Sequence, residues 1–234
     1  MLDLFVTDVE KNSAKVFTIA GLLAVMQSLG YSTGVYKPIC VGAIENAGFL
    51  QSSDLAFVKF IDPFIKTYFS YLLKDKSAPL LSAAAEGIVI EKNLILKDYQ
   101  AIQDKNEVLI VDGTLGLATP LSKDFLEEDL VKMLDLPVLF CVSARNNSIN
   151  NVLLSLNRVK NIRGVILNDY PENTDDINIK LMPKLIEEYS DAKVLGMLPQ
   201  FDKNINPNDL INVVLNNVDL ESVFNVQIAK LKGF

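Results

Sequence analysis

The sequence predicts an open α/β fold: a doubly wound, mostly parallel sheet flanked by helices. Three observations predict it. Short β-branched runs alternate with longer amphipathic segments from end to end. The runs are nearly all apolar, as strands covered on both faces must be. Half of the residues are apolar and 22% are charged, the balance of a chain that folds around a core. The 234 residues contain no Pro/Gly/Ser-rich linker, charge block or internal repeat, so a single domain over 1–234 is expected.

Taken in order, the expected strands are Leu4–Thr7, Thr33–Tyr36, Val108–Val111, Val138–Val142, Gly164–Asn168 and Val194–Leu198. Helical periodicity predicts helices over Ala14–Leu29, Asp54–Ile61, Pro63–Leu73, Glu127–Leu134, Ile149–Val159 and Ile177–Tyr189. A terminal pair, Pro207–Leu215 and Leu220–Leu231, completes the set. Such alternation implies right-handed crossovers. Ligands then bind beyond the C-terminal ends of the strands.

Composition removes several chemistries. There are 22 Lys and Arg against 29 Asp and Glu, a net charge of −7. That acidity argues against nucleic-acid or anionic-membrane partners, which require excess cations. The absence of His excludes Ser-His-Asp and Cys-His triads, His-ligated zinc and imidazole acid–base catalysis. Cys40 and Cys141 lie in apolar stretches and read as buried thiols in a reducing compartment. The start, Met1-Leu2-Asp3-Leu4-Phe5-Val6, is not a signal peptide, and no apolar run approaches the roughly 18 residues of a membrane span. The expected location is cytoplasmic.

The segment after the first strand, Asp8 to Val16, stands where a phosphate loop G-x-x-x-x-G-K-[ST] would open a helix. Only its lysine, Lys15, is kept. The chain's first glycine is Gly21, so the loop lacks the residues that let backbone N–H groups curl around phosphate. Ala14 adds a methyl at the loop–helix junction, and Val16 has no hydroxyl for Mg²⁺. Asp8 and Glu10 bring negative charge where an anion would rest.

Later loops carry the stronger signal. Phe5-Val6-Thr7, Ala20-Gly21-Leu22-Leu23 and Gly34-Val35-Tyr36-Lys37-Pro38 are followed by Ser53-Asp54, then Ala78-Pro79-Leu80-Leu81-Ser82-Ala83 and Glu86-Gly87. Next come Asp112-Gly113-Thr114-Leu115-Gly116-Leu117-Ala118-Thr119-Pro120-Leu121, Leu136-Pro137-Val138 and Asn147-Ser148-Ile149-Asn150. Gly164–Asn168 and Leu195–Pro199 close the series. Each piece alone has a plain structural explanation. Asp54 could simply favour a helix N-terminus, Asp112-Gly113 could be a strand-end turn, and Pro38 could fix a strand exit. Their co-linear order over about residues 4 to 201 resembles dethiobiotin synthetase, a P-loop ATP-dependent family of biotin biosynthesis.

The resemblance implies a P-loop NTPase-like fold. It also implies a homodimer that carboxylates 7,8-diaminopelargonate with CO2 and closes the ring with ATP and Mg²⁺. By that resemblance Lys15 and Lys37 would be catalytic, Lys15 on the phosphates and Lys37 on carbamate and γ-phosphate. Lys11, Ser13, Lys15 and Gly113 would join the nucleotide's binding residues, with Asn168, Pro199 and Phe201 near the adenine. Lys37, Ser148 and Asn150 would hold the substrate, Ser148 and Asn150 reaching the other subunit's site. Asp54 and Asp112 would bind Mg²⁺, whose preference is for hard oxygen ligands. Against the family pattern, Asp112 is shortened from Glu, Val41 replaces a hydroxyl residue, and Leu115 replaces a loop glycine. Two readings follow, in this order: a working dethiobiotin synthetase, or a catalytically impaired relative acting as a dimeric scaffold or small-anion binder. A MinD-type ATPase fits less well, because no second lysine opens the loop.

Overall fold

In the computed structural model, residues 2–10, 13–202 and 204–228 are described. The chain runs β1 (Leu2–Asp8), α1 (Lys15–Ser28), β2 (Thr33–Cys40), β3 (Ile44–Asn46), β4 (Phe49–Gln51), α2 (Ser53–Ile61) and β5 (Lys66–Leu72). It continues through α3 (Pro79–Ala85), α4 (Lys92–Gln103), β6 (Val108–Asp112), β7 (Pro120–Ser122), β8 (Phe125–Leu126), α5 (Glu127–Leu134) and β9 (Val138–Ser143). It ends with α6 (Ile149–Leu156), β10 (Ile162–Asn168), α7 (Ile177–Tyr189), β11 (Val194–Met197), α8 (Pro207–Asn217) and α9 (Leu220–Phe224).

Seven strands form one parallel sheet in the order β11-β10-β9-β1-β6-β2-β5. This is an α/β P-loop NTPase fold with β1 at its centre. β1 is covered on both sides: Leu4 and Val6 pack with α1, α8 and α9, whereas Phe5 packs with residues of α4, α5 and α6. That alternation is the period of two expected of a strand, with both of its faces apolar. Among the described residues no helix is long and apolar enough to cross a membrane.

The six expected strands all form. The helix expected over Pro63–Leu73 does not: Lys66–Leu72 is β5, paired with β2 through Gly34↔Lys66 to Cys40↔Leu72. It is an edge strand of partly exposed Tyr, Phe, Thr and Ser, residues that favour pleated backbone over helix. The helix expected over Leu220–Leu231 is described only as Leu220–Phe224, with Asn225 left-handed as its C-cap and residues 229–234 outside the described set. Helix α6 stops at Leu156, three residues before the expected Val159.

Two close approaches fix the centre. A Cβ on Gly21 in α1 would lie 2.5 Å from Val214 Cγ2 of α8, so the two helices meet where no methyl fits. Gly116 has φ +112°, and a Cβ there would sit 3.0 Å from the Val9 carbonyl oxygen. The loop after β6 is thereby pressed against the loop after β1.

Candidate functional site

Strand register explains why four distant residues converge. β1 and β6 pair up to Val6↔Asp112, so Asp112 ends its strand level with Val6, one residue below Thr7 and two below Asp8. β2 and β6 pair only up to Tyr36↔Val111. Lys37 therefore emerges beside Asp112, while β2 goes on pairing with β5 as far as Cys40↔Leu72. Ser52 caps α2, accepting a hydrogen bond from the Leu55 N–H, and so starts the helix with Asp54 in its first turn.

The result is a chain of ion pairs. Lys15 Nζ lies 2.7 Å from Asp112 Oδ1 and 3.2 Å from Asp8 Oδ2. Lys37 Nζ lies 2.7 Å from Asp112 Oδ2 and 2.7 Å from Asp54 Oδ2. Lys15 also donates to the carbonyls of Gly113 and Thr114. Asp8, Lys15, Lys37 and Asp112 are buried, whereas the Asp54 side chain is 42% exposed. A further buried carboxylate, Glu127 at the start of α5, accepts from the Thr7 and Thr114 hydroxyls and the Thr114 N–H. Two lysines thus face four acidic side chains.

Protonation follows from that geometry. Burial opposes charge on Lys15 and Lys37, but Asp112 with Asp8, and Asp112 with Asp54, outweigh it and hold both ammonium groups above their ordinary range. Burial works against the Asp112 carboxylate as well, yet the two lysines keep it below its usual value. Asp8 goes the other way: burial pushes it up to about 7 despite Lys15, with Asp112 adding to the rise. Cys40, buried near Lys37, is pushed up to about 11 and remains a thiol.

Where the first loop meets α1, a left-handed turn is made without glycine. Ala14 caps α1 at φ 58° and ψ 23°, the left-handed conformation in which a glycine carries no penalty. Ser13 donates its hydroxyl to Asp8 Oδ1, placing that carboxylate between Ser13 and Lys15. Asn168 is fully buried at the end of β10: its Nδ2 donates to the Ser13 carbonyl at 2.6 Å, and its Oδ1 accepts from the Thr18 hydroxyl at 3.0 Å. Each end of its amide thus makes one hydrogen bond inside the protein, clasping the first loop and α1 from β10. Phe201, after Pro199, stacks on Phe17 with ring centres 5.3 Å apart, and Phe17 meets Phe57 edge-on at 4.8 Å.

The remaining expected residues are dispersed. Gly113 lies against Phe5 and Glu127. Ser148 is the N-cap of α6, accepting from the Asn151 N–H. Asn150 is exposed and donates to Asn151. Lys11 lies outside the described residues. Two roles were not foreseen. Glu10 accepts from Asn151 Nδ2 at 2.6 Å and Asn147 Nδ2 at 3.4 Å, tying the first loop to α6. Glu127 anchors the third loop; its place at the head of an acidic run, Glu127-Glu128-Asp129, reads in sequence only as a helix start.

The cleft over Lys15 and Lys37 has a volume of about 300 Å³ and is lined by Asp8, Ser13, Val16, Val41, Asp54 and Leu115 among others. The groups that would meet magnesium triphosphate are engaged with one another. The ammonium that would meet phosphate is already held by carboxylates, and Val16 offers no oxygen. The two expected metal carboxylates, Asp54 and Asp112, are bridged by Lys37 instead. Among the described residues no cluster of His, Cys, Asp or Glu forms a metal-binding group.

Comparison with known proteins places this arrangement. Residues 3–208 match a family model described as an AAA domain. The ATP-dependent dethiobiotin synthetase BioD of Bacillus licheniformis is 25% identical over 232 residues, covering 96% of this chain and 97% of its own. That of Thermodesulfovibrio yellowstonii is 25% identical over 236 residues, covering 95% and 98%. Among solved structures, a chain of the MinC:MinD cell division protein complex of Aquifex aeolicus superposes with TM-score 0.53 at 14% identity, covering 99% of this chain and 96% of its own. The signal recognition particle receptor FtsY of Elizabethkingia anophelis, bound to GDP, gives 0.52 at 12% identity over 96% of this chain and 64% of its own. At such identities these two likenesses speak to the fold alone.

Proposed function

Since this chain belongs to the dethiobiotin synthetase family, matched by the AAA-domain model that contains it, we propose that it is a catalytically impaired relative that does not take MgATP in the family's pose. It acts in the cytoplasm as a homodimeric scaffold or a binder of small anions. One observation carries this reading: Lys15 Nζ is held between Asp8 Oδ2 and Asp112 Oδ1 inside the protein. A triphosphate would have to displace a buried carboxylate from its cation and then lie beside it, against like charge in a poorly screened site. Phosphoryl transfer relies on cations aimed at the transferring group, and here the nearest cation is engaged. Exposed Asn150 and Leu154 on α6 support the dimer as surface available to a second copy.

Calorimetric titration with MgATP, with and without 7,8-diaminopelargonate, tests the reading. No heat is expected up to about millimolar nucleotide; micromolar binding would overturn it. The second reading is the active enzyme, converting diaminopelargonate to dethiobiotin. It is supported by the left-handed backbone kept at Ala14 and by Lys37 standing between Asp54 and Asp112. Dethiobiotin formation that disappears in Lys37→Ala would establish it.

A further inference from the structure

We infer that Asp8 is a built-in occupant of the anion seat, its carboxylate standing where a bound oxyanion would bridge Ser13 and Lys15. This rests on the reading that MgATP is not taken, and it assigns the exclusion to one side chain rather than to a collapsed loop. A helix start favours an anion, because first-turn N–H groups lack carbonyl partners and carry the positive end of the dipole. Helix α1 starts at Lys15, and the carboxylate that meets the Lys15 ammonium comes from the end of β1. Its two oxygens divide the available donors: Oδ1 accepts from the Ser13 hydroxyl, and Oδ2 faces the Lys15 ammonium at 3.2 Å. A tetrahedral oxyanion would use the same pair.

The surroundings are those of a seat that is filled, not lost. Ala14 holds the left-handed backbone that lets the loop turn into the helix. Asn168 still grips the Ser13 carbonyl and Thr18 from β10, and Gly116 still lets the third loop close against Val9. None of these contacts involves the Asp8 side chain. Removing that side chain leaves the loop supported and Lys15 with one fewer carboxylate.

The test uses the full chain and inorganic pyrophosphate without metal, at about pH 8, where Asp8 is mostly ionised. Binding to the wild type, Asp8→Gly, Asp8→Asn and the double variant Asp8→Gly/Lys15→Met is measured by calorimetry, with thermal melts to establish folding. Asp8→Gly should bind pyrophosphate at least about tenfold more tightly than the wild type, and Lys15→Met should abolish the gain. Asp8→Asn, which keeps the volume but drops the charge, should show a smaller gain and covers the case in which Asp8→Gly does not fold. A folded Asp8→Gly with no gain, or a gain that survives Lys15→Met, overturns the inference. Wild-type binding of MgATP would overturn the functional reading and this inference with it, whereas a wild type that takes no MgATP and a folded Asp8→Gly that gains nothing would overturn the role of Asp8 alone.

Discussion

Lys15 and Lys37 emerge a few ångströms apart over the same carboxylate, yet their situations differ. Every oxygen around Lys15 belongs to a buried or backbone group: Asp8, Asp112, Gly113 and Thr114. Lys37 shares Asp112, but its other partner, Asp54, is 42% exposed at the start of a surface helix. A ligand could draw Lys37 away from Asp54 at little cost, because exposed pairs contribute only about 0.2–1 kcal/mol. Drawing Lys15 from Asp8 would leave a buried charge without its partner, a loss of about 3–5 kcal/mol. Two ammonium groups of one residue type can therefore be chemically unequal by virtue of what accompanies them.

The largest effect should come from the group both lysines share. Asp112→Ala takes the shared carboxylate from two buried cations and should destabilise the protein by about 3–5 kcal/mol in urea unfolding. A loss below about 1 kcal/mol would mean that the network is not integral to the fold. Next comes pH. The folded protein holds the Asp8 proton up to about 7, against an ordinary value of 3.8, so folding takes up protons in that window and stability falls as pH rises through it. Asp8→Asn should consequently gain on the wild type between about pH 4 and 7, by on the order of 2–4 kcal/mol. A difference that stays flat with pH would refute the buried setting of Asp8. Ala14→Gly should add about 1 kcal/mol, by relieving a left-handed alanine, in the same unfolding measurement. Smallest of all, Asp54→Ala should shift stability by less than about 1 kcal/mol; a larger loss would erase the contrast between the two lysines.

Much of this was readable before any coordinates. The buried strands announced themselves by largely apolar runs, and Asp8, Lys37 and Asp112 stood at or just after the ends of such runs, whereas Lys15 and Asp54 stand at helix starts. The edge strand Lys66–Leu72 did not, because a strand covered on one side at most has no continuous apolar signal, and its spacing of Tyr and Phe imitates a helix. Helix α4 went unread although Ile95, Tyr99 and Ile102 repeat at helical spacing, since its mean hydropathy is near neutral and polar residues surround them. At the site, sequence identified Asp8 as hostile to an incoming anion but gave no sign that it already neutralises Lys15. For a related reason a lone Asn after a strand gave no sign that Asn168 clasps the first loop through the Ser13 carbonyl.

The methyl-free meeting of Gly21 with Val214 ties the loop's supporting helix to a segment almost two hundred residues further along the chain. Helix α1 is thus covered on one side by elements that precede it or follow it closely and on the other by α8 near the end of the chain. A chain truncated before Pro207 would keep every charged residue of the centre but leave the Gly21 side of their supporting helix uncovered.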